Sequence, residues 1–72
     1  MKLQRLQDLR IDHDLTQAEV AEKLGCQRNV YSRYELGYRM IPLDMLMELA
    51  DLYDVSLDYI TERTNEKKTA GR

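Results

Sequence analysis

QAEVAEKLGCQRNVYSRYEL, residues 17–36, is the stretch that decides the fold of this 72-residue chain. Thr16, just before it, has a side chain that caps helices, and Glu19 stands where a capping box needs its acidic partner. These two residues predict that a helix begins at Gln17. Gly25 predicts its end, because glycine readily adopts the left-handed conformation that often follows the last turn of a helix.

The next helix along the chain, the third of the predicted fold, is predicted over residues 27–36, with Gly37 ending it. On a wheel of about 100° per residue, its two sides differ in kind. Val30, Tyr31 and Tyr34 occupy one side, which we expect to face a core. The other side carries hydrogen-bonding groups without a carboxylate: Arg28, Asn29, Ser32 and Arg33.

This polar side matches what the edges of base pairs display. An arginine can bond O6 and N7 of guanine with two N–H groups, and an asparagine can pair with N6 and N7 of adenine. Each good pair discriminates against a wrong base by about 1–3 kcal/mol. The other interpretation is a solvated polar surface without a ligand, and the chemistry of this helix alone does not choose between them.

Three more helices are predicted around this pair. Leucines at positions 3, 6 and 9 recur with helical spacing. Pro42 suits the first turn of a fourth helix, where a missing N–H is harmless. That helix is apolar on most of its circumference, and Ser56 can cap a fifth. The predicted fold class is all-α, a compact bundle of five helices.

The formal net charge of −2 does not describe every face of the protein. Residues 16–40 contain four basic and three acidic residues, whereas residues 41–60 contain five acidic residues and no basic one. Charges are screened over about 8 Å at physiological salt, so the local balance decides what a face attracts. An acidic chain can therefore present a basic face to nucleic acid.

The rest of the composition indicates a single small domain in the cytoplasm. Cys26 is the single cysteine, so no disulfide can form within the chain. The opening MKLQRLQDLRIDHD is charged throughout and lacks the apolar region of a signal peptide. No apolar run approaches the roughly 20 residues of a membrane span, so we expect no membrane association.

The order and spacing of these elements closely resemble the helix-turn-helix of the phage-repressor (Cro/CI, or XRE) family. The resemblance rests on TQ opening the second helix, Ala21 and Gly25 within the pair, SRYE and GYR around the third helix, and DVSLDYI in the fifth. It covers roughly residues 3–61. It implies a lambda-repressor-like domain whose third helix enters the major groove of double-stranded DNA.

The resemblance also implies roles for individual residues. Base contacts from the third helix would come from Arg28, Asn29 and Arg33, with Ser32 as a secondary contact. Contacts to the phosphate backbone would come from Gln17, Gln27, Tyr38 and Arg39. Arg10 and Glu35 would form an ion pair between the first and third helices, which is a structural role.

Three residues depart from the family's pattern. Gln27 stands where Ser or Thr is common, and it is a poorer cap for the third helix. Leu36 replaces a polar residue, so it either meets a thymine methyl or is simply exposed. Tyr31 replaces Ile or Val, and its hydroxyl needs a partner or water.

No set of residues for catalysis or metal binding is apparent. There is neither a glycine-rich phosphate loop nor a pair of nucleophile and base. His13 is the single histidine, and zinc needs three or four ligands. The carboxylates of the fourth helix have the spacing of a solvent-exposed face. We therefore expect no enzyme activity, no metal and no cofactor.

The favoured function is sequence-specific transcriptional regulation, most simply repression. We expect a homodimer on two half-sites, because one short helix reads only a few base pairs, with Leu57, Tyr59 and Ile60 as its candidate interface. The alternative is a protein-interaction module, antitoxin-like or a regulator's partner, in which an additional protein binds the acidic fourth helix and the fifth, and DNA binding is secondary. Residues 1–63 are the predicted domain, and residues 64–72 a polar, disordered tail.

Overall fold

Five α-helices make up the regular structure of the chain. The computed structural model describes residues 2–67. The helices are α1 (Gln4–Asp12), α2 (Gln17–Leu24), α3 (Arg28–Leu36), α4 (Leu43–Tyr53) and α5 (Leu57–Ile60), and no strand occurs in the described range. The all-α prediction of five helices is confirmed. Within residues 2–67, every helix is too short or too polar to cross a bilayer.

Both ends of α2 have the predicted geometry. Thr16 Oγ1 accepts a hydrogen bond from the main-chain N–H of Glu19 at 3.1 Å, and Glu19 Oε1 accepts one from the N–H of Thr16 at 2.9 Å. Gly25 has a φ of 74°, and the N–H of Cys26 then reaches the carbonyl of Ala21. A helix of eight residues is marginal in isolation, so these caps and its packing hold it.

The starts of α3 and α4 differ slightly from the expectation. Pro42 precedes α4 as its N-cap, with a ψ of 149°, instead of lying in its first turn. The ring of proline fixes φ near −65° and leaves ψ free, so this extended position suits it equally well. Gln27 is the N-cap of α3 and makes no side-chain cap bond, as expected of a poorer capping residue.

A single apolar core lies between the helices. Its fully buried side chains include Leu6, Val20, Tyr31, Leu49 and Ile60. Ala21 is also buried, which allows the close approach of α2 and α3 at their glycine turn. Because Ile60 faces the core of its own chain, its predicted place in a dimer interface is wrong.

Arg5 ties the end of the described chain to α1. Its Nη1 donates to the carbonyl oxygens of Tyr59, at 2.7 Å, and Thr64, and its guanidinium lies 4.1 Å from the centre of the Tyr59 ring. Its Nη2 donates to Asn65 Oδ1 at 2.9 Å. Residues 64 and 65 thus contact the first helix. The predicted boundary after residue 63 stays a prediction, and residues 68–72 of the predicted tail lie outside the described residues.

Candidate nucleic-acid interface

The two sides of α3 are separated as the wheel predicts. Tyr31 and Glu35 are buried, with 0% and 2% exposure, and they hold the helix against the rest of the bundle. On the outer side, Arg28, Asn29 and Arg33 are exposed and Ser32 is half-buried. The three long side chains therefore extend into solvent from a helix whose other side is fixed, and the structure brings all four predicted base-reading residues onto one surface.

A charged network fixes α3 from behind. Arg10 of α1 donates from Nε to Glu35 Oε2 at 2.9 Å and from Nη2 to Glu35 Oε1 at 3.0 Å. Its Nη1 also donates to the carbonyl of Leu15 at 2.9 Å, in the segment leading into α2. One guanidinium thus joins α1, α3 and the start of α2, and the pair suggested by the resemblance has the predicted structural place.

Burial by itself would raise the pKa of Glu35. Hydrogen bonds from Arg10 and Gln17, together with the nearby Tyr31 hydroxyl, favour its charged form and outweigh burial, so the net effect lowers the pKa of Glu35 below its ordinary value. The bond to Glu35 raises the pKa of Arg10. Both groups are consequently ionised at neutral pH, and each compensates the charge of the other.

Gln17 belongs to this network as well as to the outer surface. Its Nε2 donates to Glu35 Oε1 at 3.3 Å, and the residue is half-buried. An amide nitrogen carries two hydrogens, so one remains for an acceptor in solution. The uncapped main-chain N–H groups in the first turn of α2 project from the helix N-terminus, where the helix dipole favours an anion.

The start of α3 combines two exposed amide side chains. Asn29 Oδ1 accepts a hydrogen bond from the N–H of Val30 at 3.0 Å, which leaves its NH₂ group and a second lone pair of the oxygen for other partners. Gln27 is exposed and its side chain makes no cap bond. Both side chains can therefore donate and accept hydrogen bonds outside the protein.

The loop after α3 is anchored at its base and exposed at its tip. Gly37 has a φ of 86°, and the N–H groups of Tyr38 and Arg39 both bond to the carbonyl of Arg33, at 2.9 and 3.3 Å. The side chain of Tyr38 is 77% exposed, and Arg39 is also exposed. A phenol and a guanidinium are thus exposed in the loop that directly follows α3.

Lys2 is a neighbour of this loop that the sequence analysis missed. A Cβ atom added to Gly37 would lie 2.8 Å from Lys2 Cα, so the two main chains are in close contact, and Lys2 itself is exposed. No local pattern could reveal this cation, because the fold alone brings together residues so distant in sequence.

The hydroxyl of Tyr31 is buried in α3 without a hydrogen-bond partner in the described part of the chain. It is buried close to Glu35 but outside full hydrogen-bonding geometry, and the hydroxyl of Tyr53 is also buried without a partner in the described part of the chain. Burial and the Glu35 charge raise the pKa of Tyr31 well above its ordinary value and that of Tyr53 to about 12. Both phenols are therefore neutral at physiological pH.

The metal-ligating side chains of the described residues do not gather at one site. Within residues 2–67, no group of three His, Cys, Asp or Glu side chains is placed to hold a metal ion. The ring of His13 packs against that of Tyr53 at a tilt of 50°, with ring centres 4.9 Å apart, and Cys26 packs against the core. The carboxylates at positions 44, 48, 51, 54 and 58 are exposed on α4, its end and α5.

Residues 6–60 match the helix-turn-helix family. The chain is similar to three proteins of Bacillus subtilis: the HTH-type transcriptional regulator YobD, 47% identical over 66 residues, the HTH-type transcriptional regulator AnsR, 39% identical over 70, and the HTH-type transcriptional regulator ImmR, 41% identical over 64. These alignments cover 92%, 97% and 89% of this chain. They cover 59%, 60% and 50% of the relatives, so the chain spans roughly half to three fifths of their length.

Proposed function

The chain belongs to the phage-repressor-like (XRE) helix-turn-helix family, and we propose that it is a sequence-specific DNA-binding regulator of transcription, acting in the cytoplasm. The family is one of transcriptional regulators and not of enzymes, in agreement with the prediction from sequence. The observation that carries the proposal is the outward polar side of α3, with its buried side held by Tyr31 and Glu35.

In this proposal α3 lies in the major groove. Arg28 and Arg33 bond guanine edges, Asn29 bonds adenine, and Ser32 makes a secondary contact that permits close approach. Exposure of the three long side chains supports these roles. Because the bond from Val30 uses only one lone pair of Asn29 Oδ1, the amide can still pair with both N6 and N7 of adenine.

Residues around α3 hold the DNA backbone. Gln17 binds a phosphate through its free amide hydrogen and the first N–H groups of α2, while its other hydrogen stays on Glu35. The remaining backbone contacts are assigned to Gln27, Tyr38 and Arg39, and we add Lys2 to them because it is exposed and its main chain lies close to Gly37. These contacts position α3 in the groove without reading sequence.

We further propose repression by a homodimer on two half-sites. Repression is suggested by a similar protein, the cryptic phage CTXphi transcriptional repressor RstR of Vibrio cholerae, 38% identical over 53 residues that cover 74% of this chain and 48% of that protein. A dimer doubles the few base pairs that one short helix reads, with half-sites about 34–36 Å apart. Of the candidate interface residues, Leu57 and Tyr59 remain partly exposed.

Selection of bound sequences from a random DNA library tests the proposal. We expect a short enriched motif, repeated with two-fold symmetry, and binding that weakens as salt increases. Recovery of random sequence after several rounds would contradict sequence-specific binding. Enrichment of an isolated half-site, bound by a monomer in sedimentation experiments, would contradict the dimer alone.

A second candidate function is a protein-interaction module. It is favoured by Leu43 and Met47, which are exposed on α4 beside exposed carboxylates, and by a 310 Å³ cavity between α4 and α5. A gel-retardation experiment with micromolar protein and genomic DNA at low salt distinguishes this module from the regulator. Retardation of the DNA supports the regulator, whereas its absence, together with co-purification of a protein, supports the module.

A further inference from the structure

We infer that Leu36 reads a thymine methyl group in the major groove, next to the base pair that Arg33 contacts. The inference rests on the proposed function and adds an apolar contact to it. Leu36 is the last residue of α3, and its side chain is 45% exposed. An exposed leucine is ordinary by itself, so its position on the helix must carry the argument.

Leu36 lies within the polar arc of α3. With Arg28 taken as zero and about 100° per residue, Leu36 falls at about 80°, between Ser32 at about 40° and Arg33 at about 140°. It follows Ser32 by four residues and Arg33 by three, so it continues the same surface by about one turn of helix. A side chain at this position faces the same partner as Ser32 and Arg33.

The end of α3 is fixed enough to hold Leu36 there. The N–H of Gly37 donates to the carbonyl oxygen of Tyr34 at 3.2 Å, and the N–H of Tyr38 donates to the carbonyl oxygen of Arg33 at 2.9 Å. Together with the left-handed Gly37, these bonds form the double closure that ends a helix without fraying. Leu36 therefore keeps its helical position.

The chemistry then identifies the target. The 5-methyl group of thymine is the one apolar group that unmodified base pairs present in the major groove. Burying one methyl group against leucine is worth about 0.8 kcal/mol, which corresponds to about fourfold in affinity. The other groups of the arc are polar, so Leu36 alone supplies this contact.

The test uses deoxyuridine, which differs from thymidine only in lacking the methyl group. In the half-site selected by the wild-type protein, each thymine is replaced by uracil in turn, and the dissociation constants are measured. We expect one position at which the loss is about fourfold. Leu36→Ala should bind the thymine-containing half-site and the half-site with uracil at that position equally well. Leu43→Ala, which truncates an α4 leucine that is 63% exposed, is the control and should still bind the thymine-containing half-site more tightly.

The outcomes separate this inference from the proposed function. If the wild-type protein shows no sequence preference, both the proposed function and the role of Leu36 are overturned. A clear motif without any A·T pair overturns the role of Leu36, and the adenine contact of Asn29 with it, but leaves sequence-specific binding intact. The role of Leu36 alone is overturned if no uracil substitution weakens binding, or if Leu36→Ala retains the discrimination. Circular dichroism of Leu36→Ala, expected to match the wild type because the side chain is exposed, excludes unfolding as a cause.

Discussion

Arg10 and Glu35 meet through two parallel hydrogen bonds of 2.9 and 3.0 Å, which join the first helix to the back of the third. Their side chains are 14% and 2% exposed. A planar guanidinium and a carboxylate in this arrangement fix distance and orientation together. The pair therefore sets the angle at which α3 presents its polar side.

Removing Arg10 should destabilise the fold strongly. In Arg10→Met the carboxylate of Glu35 stays buried without its partner, and the free energy of unfolding should fall by about 3–5 kcal/mol. Urea denaturation measures the change. The matched control is Arg63→Ala, which breaks an exposed pair 3.9 Å from Asp58 and should cost less than about 1 kcal/mol. Similar losses in both variants would contradict a special role for the buried pair.

The protein should lose stability in acid because of Glu35. The pKa of Glu35 in the folded chain lies below its ordinary value of 4.5, so the folded state holds this proton less tightly than the unfolded state. The contribution of Glu35 to the free energy of unfolding is complete above pH 4.5, and it is lost as the pH falls through the pKa that Glu35 has in the folded state. Urea titrations between pH 7 and pH 3 should therefore give a falling free energy of unfolding.

Glu35→Gln tests which carboxylate is responsible. This variant should be less stable at pH 7 and should depend less on pH in the acid range. Glu19, whose bonds with Thr16 also lower its pKa, is exposed, and Glu19→Gln should change the acid profile less. An acid profile of Glu35→Gln identical to that of the wild type would show that other groups cause the loss.

The two turn glycines should respond differently to alanine. Both have positive φ, so the left-handed conformation costs about 1–2 kcal/mol in either variant. At Gly25 nothing lies within 4 Å of an added Cβ, whereas at Gly37 it would lie 2.8 Å from the main chain of Lys2. Thermal unfolding should therefore give a lower Tm for Gly37→Ala than for Gly25→Ala. Equal Tm values would mean that the close contact with Lys2 is not maintained in solution.

Local chemistry explains why the helices could be predicted from sequence. Thr16, Glu19 and Gly25 act on neighbours within a few residues, and they produced the expected ends of α2. The polar and apolar sides of α3 follow from helical periodicity in the same way. The face of Ile60 could not be read because α5 has four residues, too few for a period to indicate which side meets the core.

Contacts between distant parts of the chain had no comparable pattern. Arg5 packs over Tyr59 and bonds to residues 64 and 65, yet in sequence it is one of several cations in a charged segment. Lys2 reaches the loop after α3 only because the chain folds back. The Arg10–Glu35 pair was expected only through the family resemblance. Tertiary packing determines such contacts, so no local sequence pattern predicts them.

The most direct test of the central claim compares Arg33→Ala and Arg39→Ala on the selected DNA over a range of salt concentrations. Arg33 is assigned to a base, so Arg33→Ala should weaken specific binding by about 1–3 kcal/mol and relax the preference at one position. Arg39 is assigned to a phosphate, so Arg39→Ala should weaken all sequences alike and reduce the salt slope by about one. If Arg33→Ala changed neither affinity nor preference, α3 would not be the element that reads DNA.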